Sequence, residues 1–192
     1  MKKWIEIYRS LFLRVAQMVI SIDEAWRTLA SEQQKPRQFQ KEFVLPFVAL
    51  CAVLTFIGDL FDTHANRIVL GMVHALFCAI SLLGGFWISR FICQKTTAHY
   101  YNIQLDDVQT DKIVGYSFAV VMALNGALSL FPGLFFLSFL VLYVIYMLWM
   151  AAATIVGMDE ENRGKFLIIN SLSIIGSQLV IQKLLDILIP NV

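Results

Sequence analysis

Five apolar runs constrain this chain more than any other feature. They cover about residues 43–61, 68–93, 113–131, 133–157 and 166–189. Each is close to or above the roughly 20 residues that a helix needs to cross a bilayer at ~1.5 Å per residue. Lipid offers no partner to a free backbone N–H or C=O, so a spanning segment must be a helix or part of a closed barrel. Runs this continuous lack the alternation of barrel strands. The expected fold is therefore all-α: a polytopic membrane bundle of five transmembrane helices over residues 43–189, preceded by a different kind of segment over 1–42. Only Pro132-Gly133 separates the third run from the fourth, which predicts a tight turn between antiparallel helices.

The basic residues set the expected orientation. Thirteen of the fifteen Lys and Arg fall before the first run, from the end of the second (Arg90) to the start of the third, or between the fourth and fifth. Arg67 and Lys183 are the other two. The N-terminus is thus expected in the cytoplasm and the C-terminus outside. Lys2 and Lys3 are followed by Glu6, Arg9 and Arg14, a pattern that excludes a secretory signal peptide.

Residues 1–42 carry Trp4, Tyr8, Leu11, Phe12, Val15, Val19 and Ile22 at helical spacing, with charged residues on the other side. Such an amphipathic helix either lies in the membrane interface or packs on the cytoplasmic face of its own bundle. Ser21-Ile22-Asp23-Glu24 has the form of a capping box, which predicts a break near Ser21 and a second short helix through Trp26 and Leu29. Residues 32–41 read as a polar connector.

Small residues recur every fourth position in two spans: Gly71, Ala75 and Ala79 in the second, and Gly115, Ala119, Ala123 and Ala127 in the third. Stripes of this kind let helix backbones approach closely, within the bundle or across a homodimer. Ionisable and amide groups inside a membrane are costly, and they mark either a packing network or a site. Asp59 and His74 fall in the same half of the membrane on neighbouring helices, and Asn125 and Gln178 fall at a comparable depth. These four form a candidate polar cluster, with Gln182, Lys183 and Asp186 nearby. Asp62, His64, Arg67 and Asp186 read as solvated interface residues.

The chemistry that is missing also narrows the function. No Ser-His-Asp pattern, P-loop or HExxH is present, so no catalytic residue is assigned. Cys51, Cys78 and Cys93 lie in apolar runs and read as buried free thiols, with acylation an option for Cys93. Asp106, Asp107 and Asp111 precede the third span, where acidic residues favour a helix N-terminus. No metal site and no cofactor are expected. A net charge of +1 gives no bulk attraction to nucleic acid. The expected partners are the lipid bilayer, further copies of the chain, or another membrane protein.

Several local patterns in this order resemble the Yip1 family, and its small bacterial branch in particular. They are Trp26 and Glu32 leading to Phe43-Val44-Leu45-Pro46, then Gly84-Gly85, Val114-Gly115-Tyr116-Ser117 and Leu130-Phe131-Pro132. Leu142-Tyr143 and Ile145-Tyr146 complete the set, which spans residues 22–175. The resemblance implies five spans, a bacterial inner membrane and no catalytic residues. Eukaryotic members carry a long N-terminal region with an acidic Asp-Leu-Tyr-Gly-Pro-like motif. The short pre-membrane segment here lacks it, so contact with Rab-type GTPases is not implied. The expected function is non-enzymatic membrane organisation or partner binding; transport of an ion, small solute or lipid is the alternative.

Overall fold

In a computed structural model the chain is all-helical, with no strand among the described residues, which are 2–32, 37–61 and 67–188. Side chains of residues 2–5, 7, 19 and 67 also lie outside the described set. The helices are α1 (Lys2–Ile20), α2 (Ile22–Ser31), α3 (Gln40–Leu60), α4 (Arg67–Tyr101), α5 (Asp107–Leu130), α6 (Pro132–Val156) and α7 (Glu160–Leu188). Helices α3 to α7 are each long and apolar enough to cross a membrane, and the chain is an integral, multi-pass membrane protein. The spans run past the apolar stretches read from the sequence, because polar turns continue α4 to Tyr101 and start α5 at Asp107.

Helix α5 is the axis of the bundle. Residues 110–119 are buried without interruption, as a helix contacted on all sides must be. It packs on α3, α4, α6 and α7, while α4 lies between α3 and α7. Asp106 starts α5 with a capping box, its carboxylate accepting from the Gln109 N–H at 2.6 Å while Gln109 accepts from the Asp106 N–H at 3.1 Å.

Two irregular stretches have local causes. Helix α3 opens with a π-helical turn, Gln40–Val44, ahead of Pro46. Proline has no N–H and its ring crowds the carbonyl four residues back, and the wider turn accommodates both. Helix α6 begins as a 3-10 helix over Pro132–Leu142, none of whose residues is buried. Long 3-10 runs are uncommon because they stack side chains poorly, and this one stands off the bundle. Helix α6 ends in a second π-helical turn at Gly157, whose φ of 71° is the left-handed cap that glycine adopts freely.

Helices α1 and α2 sit on one end of the bundle, together with the α4–α5 and α6–α7 connections. We call this the basic end. Leu11 and Met18 are buried there, whereas Phe12, Leu13 and Ile20 of the same helix are exposed. Thus α1 grips the bundle with one face and offers an apolar edge to lipid with the other. The chain breaks at Ser21 as expected, but Ser21 makes no side-chain cap bond. The capping-box reading of that residue is therefore corrected. The connector is also shorter than expected, because Gln40 and Lys41 already belong to α3.

Candidate functional site

At the end of the bundle opposite α1, helices α3 and α4 run side by side. Gly71 makes this possible: a Cβ there would lie 3.0 Å from the Phe56 ring and 3.3 Å from the Asp59 Cβ. One turn along, His74 Nδ1 lies 3.0 Å from Asp59 Oδ2, both side chains being partly buried. On the neighbouring helices Asn125 and Gln178 exchange amide bonds, each N–H donating to the other's oxygen at 3.2 Å. Gln178 is 3% exposed. A reciprocal pair satisfies groups that lipid would leave unpaired.

The four candidate residues form two pairs joined through a crevice of about 270 Å³, into which His74, Asn125, Gln182 and Asp186 open. Thr55, Cys78, Ser81 and Ser129 line the same crevice. The sequence reading passed over these four. A signal was present, because Thr55, Cys78 and Ser129 each stand four residues from Asp59, His74 and Asn125. That spacing puts them on the same helix faces. A second chamber of about 450 Å³ opens on the far side of Asn125, Ser129 and Gln182, between α5, α6 and α7. Asp62 and His64 lie outside the described residues, as does the Arg67 side chain. Lys183 and Asp186 are exposed and 3.4 Å apart.

The small-residue stripes divide. Gly115 is buried against the Phe39 ring, and Ala119 is buried too. Ala75, Ala79 and Ala127 are half-buried. Ala123 is exposed and departs from the expected close contact. The reason is the 3-10 half of α6. It leaves an apolar groove of about 410 Å³ where Ala119, Ala123 and Ala127 face Leu137 and Leu140, with Met18 of α1 at one end. The tightest approach lies off the stripes, at Gly58 against the Ser129 carbonyl, and Gly85 is close as well, where a Cβ would meet Phe118 at 2.9 Å and the Gln178 Cβ at 3.2 Å.

At the basic end the charges are engaged with one another. Arg14 forks onto Glu32 at 2.7 and 3.1 Å and donates to the Tyr116 hydroxyl at 2.9 Å. Burial alone would lower the Arg14 pKa, but the bonds to Glu32 and Tyr116 raise it overall, so the group stays charged. Lys112, 4% exposed, donates to the carbonyls of Leu29 and Glu32 at 2.7 and 2.6 Å. It thereby closes the C-terminus of α2 where a cation is favoured. Arg90 reaches Asp107 at 2.6 Å and Asp111 at 2.5 Å, and Gln40 donates to Asp111 at 2.7 Å. Asp106 is spent as a cap. Among the described residues no group of three or more His, Cys, Asp or Glu is arranged to hold a metal. The three cysteines are free, and Cys93 at 0% exposure offers an acyl donor no access.

Of the residues behind the Yip1 resemblance, Trp26, Glu32, Phe43, Gly115 and Tyr116 gather here, whereas Gly84-Gly85 and Leu130-Phe131-Pro132 do not. Trp26 meets Tyr116 edge-on at 6.1 Å, Phe43 meets it at 4.6 Å, and Phe39 lies between Tyr116 and Gly115. No family model matches the chain, and neither does any curated protein or solved structure.

Proposed function

We propose that this protein is a non-enzymatic, Yip1-like component of a bacterial inner membrane that works by associating with other membrane proteins, a second copy of itself first among them. Its N-terminus is cytoplasmic in this reading. The observation that carries the proposal is the groove beside α6. It joins small residues, Ala119, Ala123 and Ala127, to a segment whose Phe135 and Phe139 project outward at 73% and 74% exposure. Large side chains beside a small-residue groove are the two halves of a self-complementary contact, which a two-fold dimer uses twice. The convergence of Trp26, Glu32, Phe43, Gly115 and Tyr116 gives the pre-membrane segment and the third span a shared structural role, in keeping with the resemblance.

Ala123→Leu tests the groove. Ala123 is exposed, so the added volume disturbs no interior packing. The dimer fraction in lipid, read by single-molecule photobleaching, should fall several-fold while the melting temperature holds. Wild-type protein that stays monomeric at every protein-to-lipid ratio would sink the self-association. Orientation is tested separately by reporter fusions at Val192 and within residues 102–106, which should report opposite sides of the membrane. Both on one side would overturn the five-span topology.

Transport is the second reading, and one observation favours it. Ser117 Oγ, Asn170 Oδ1 and Ser173 Oγ are buried with no hydrogen-bond partner among the described residues, and they carry polar atoms from the crevice toward the basic end. Solute flux in proteoliposomes separates the two readings.

A further inference from the structure

We propose that the crevice among α3, α4, α5 and α7 binds a primary ammonium group, presented by the head of a membrane lipid whose chain lies in the adjoining chamber beside α6. This stands apart from the groove that supports self-association.

The first argument is the direction of the hydrogen bonds. Three hydroxyls line the crevice, and each lies within bonding distance of a carbonyl in its own helix. Thr55 donates to Cys51 at 3.0 Å, Ser81 to Cys78 at 3.0 Å and Ser129 to Asn125 at 2.8 Å. A hydroxyl has one proton, so what these residues have left is lone pairs. The Asn125 N–H groups are spent on the Val121 carbonyl and on Gln178. Among the described lining residues the carboxylate is Asp186, whose partner Lys183 is exposed and held only at 3.4 Å. With the Thr55 and Ser129 hydroxyls also 3.1 Å apart, and beside the His74 ring and the Gln182 amide, the crevice therefore offers mainly acceptors and a carboxylate shared with Lys183. Its complement is a cation that donates several hydrogen bonds, as a primary ammonium does and a quaternary ammonium does not.

The second argument is the chamber behind it. Asn125, Ser129 and Gln182 line both spaces, but the second is walled mainly by Val121, Leu124, Leu128, Val141, Ile175 and Leu179. A free amine has no use for it, whereas an amphiphile fills both. The order along α7 matches a lipid standing upright in its leaflet. Asp186 near the end of the helix marks the head, Gln182 and Gln178 mark the junction, and Leu179 and Ile175 mark the chain. Asp186 to Ile175 is about 16 Å of helix at ~1.5 Å per residue. The 3-10 half of α6, with no residue buried, leaves this chamber accessible sideways from the bilayer.

The test is competitive lipid retention by the purified full chain in native mass spectrometry, using phosphatidylethanolamine, phosphatidylcholine and phosphatidylglycerol with matched chains. Free ethanolamine is measured separately by its effect on thermal unfolding. Phosphatidylethanolamine should be retained about tenfold over phosphatidylcholine, the ratio that loss of one charge-assisted hydrogen bond gives. Asp186→Asn changes only a half-exposed carboxylate and should remove most of that preference while leaving the melting temperature intact. Asn125→Leu should also weaken the preference, but with a lower melting temperature, because it leaves the buried Gln178 amide without its partner. Equal retention of the two lipids overturns the proposal, as does a preference that survives Asp186→Asn. Stabilisation by free ethanolamine equal to that by the lipid also overturns the lipid assignment.

Discussion

Arg90→Met is expected to destabilise the bundle by about 3–5 kcal/mol, the cost of leaving one partner of a buried ion pair alone. Asp111 is 2% exposed, and with Arg90 gone it keeps only the Gln40 amide at 2.7 Å. Asp107 is the lesser loss, since its side chain is 65% exposed and water replaces the arginine there. The check is equilibrium unfolding in detergent or bicelles. The double variant Arg90→Met with Asp111→Leu should recover most of the stability, because the penalty belongs to the stranded carboxylate and a buried pair can be exchanged for apolar side chains at little cost. A double variant as unstable as the single one would mean that Arg90 acts chiefly through its contact with Trp87, whose ring centroid lies 5.5 Å from the guanidinium carbon.

The spans were legible because lipid imposes one simple demand, an unbroken apolar helix, and hydropathy records it directly. Their ends were not, because the polar turns that extend α4 to Tyr101 and α7 back to Glu160 leave the hydrocarbon and escape that demand. The Asp59–His74 contact was legible for a related reason: two ionisable side chains in apolar surroundings on adjoining helices have few other places to go. Thr55 and Ser129 left only the trace of standing four residues from Asp59 and Asn125, and Ser81 left less, since a hydroxyl in a membrane helix satisfies itself on its own backbone and shows little of what it faces. The 3-10 half of α6 has no marker beyond Pro132-Gly133. Its side chains are as apolar as those of a regular span, and the groove it opens beside Ala123 follows from backbone geometry alone. The Arg14–Glu32–Tyr116 cluster joins residues up to 102 apart, a pairing that no local pattern announces.

Trp26→Ala is expected to release α1 and α2 from the bundle. Trp26 is 0% exposed and among the largest fully buried side chains. Truncating a buried aromatic residue to alanine costs about 3–5 kcal/mol through lost burial and the cavity left behind. The remaining ties are the smaller buried side chains Leu11, Met18, Ile22 and Leu29, the partly buried bond of Arg14 to Tyr116, and the bonds of the buried Lys112 to the end of α2. None of them replaces the burial that the indole supplies. The loss should therefore appear as local opening, with trypsin cutting after Arg14 and Arg27 at least about a hundredfold faster while α3 to α7 remain folded. Trp26→Phe separates burial from hydrogen bonding. The Trp26 Nε1 has no partner among the described residues, so phenylalanine discards a buried N–H that costs about 1–3 kcal/mol to leave unsatisfied. That gain offsets much of the lost volume, and the phenylalanine variant should be cut at close to the wild-type rate. Equal, rapid cleavage of both variants would mean that Nε1 has a bound partner, and wild-type resistance in Trp26→Ala would mean that the other buried side chains and the polar ties hold the segment down without it.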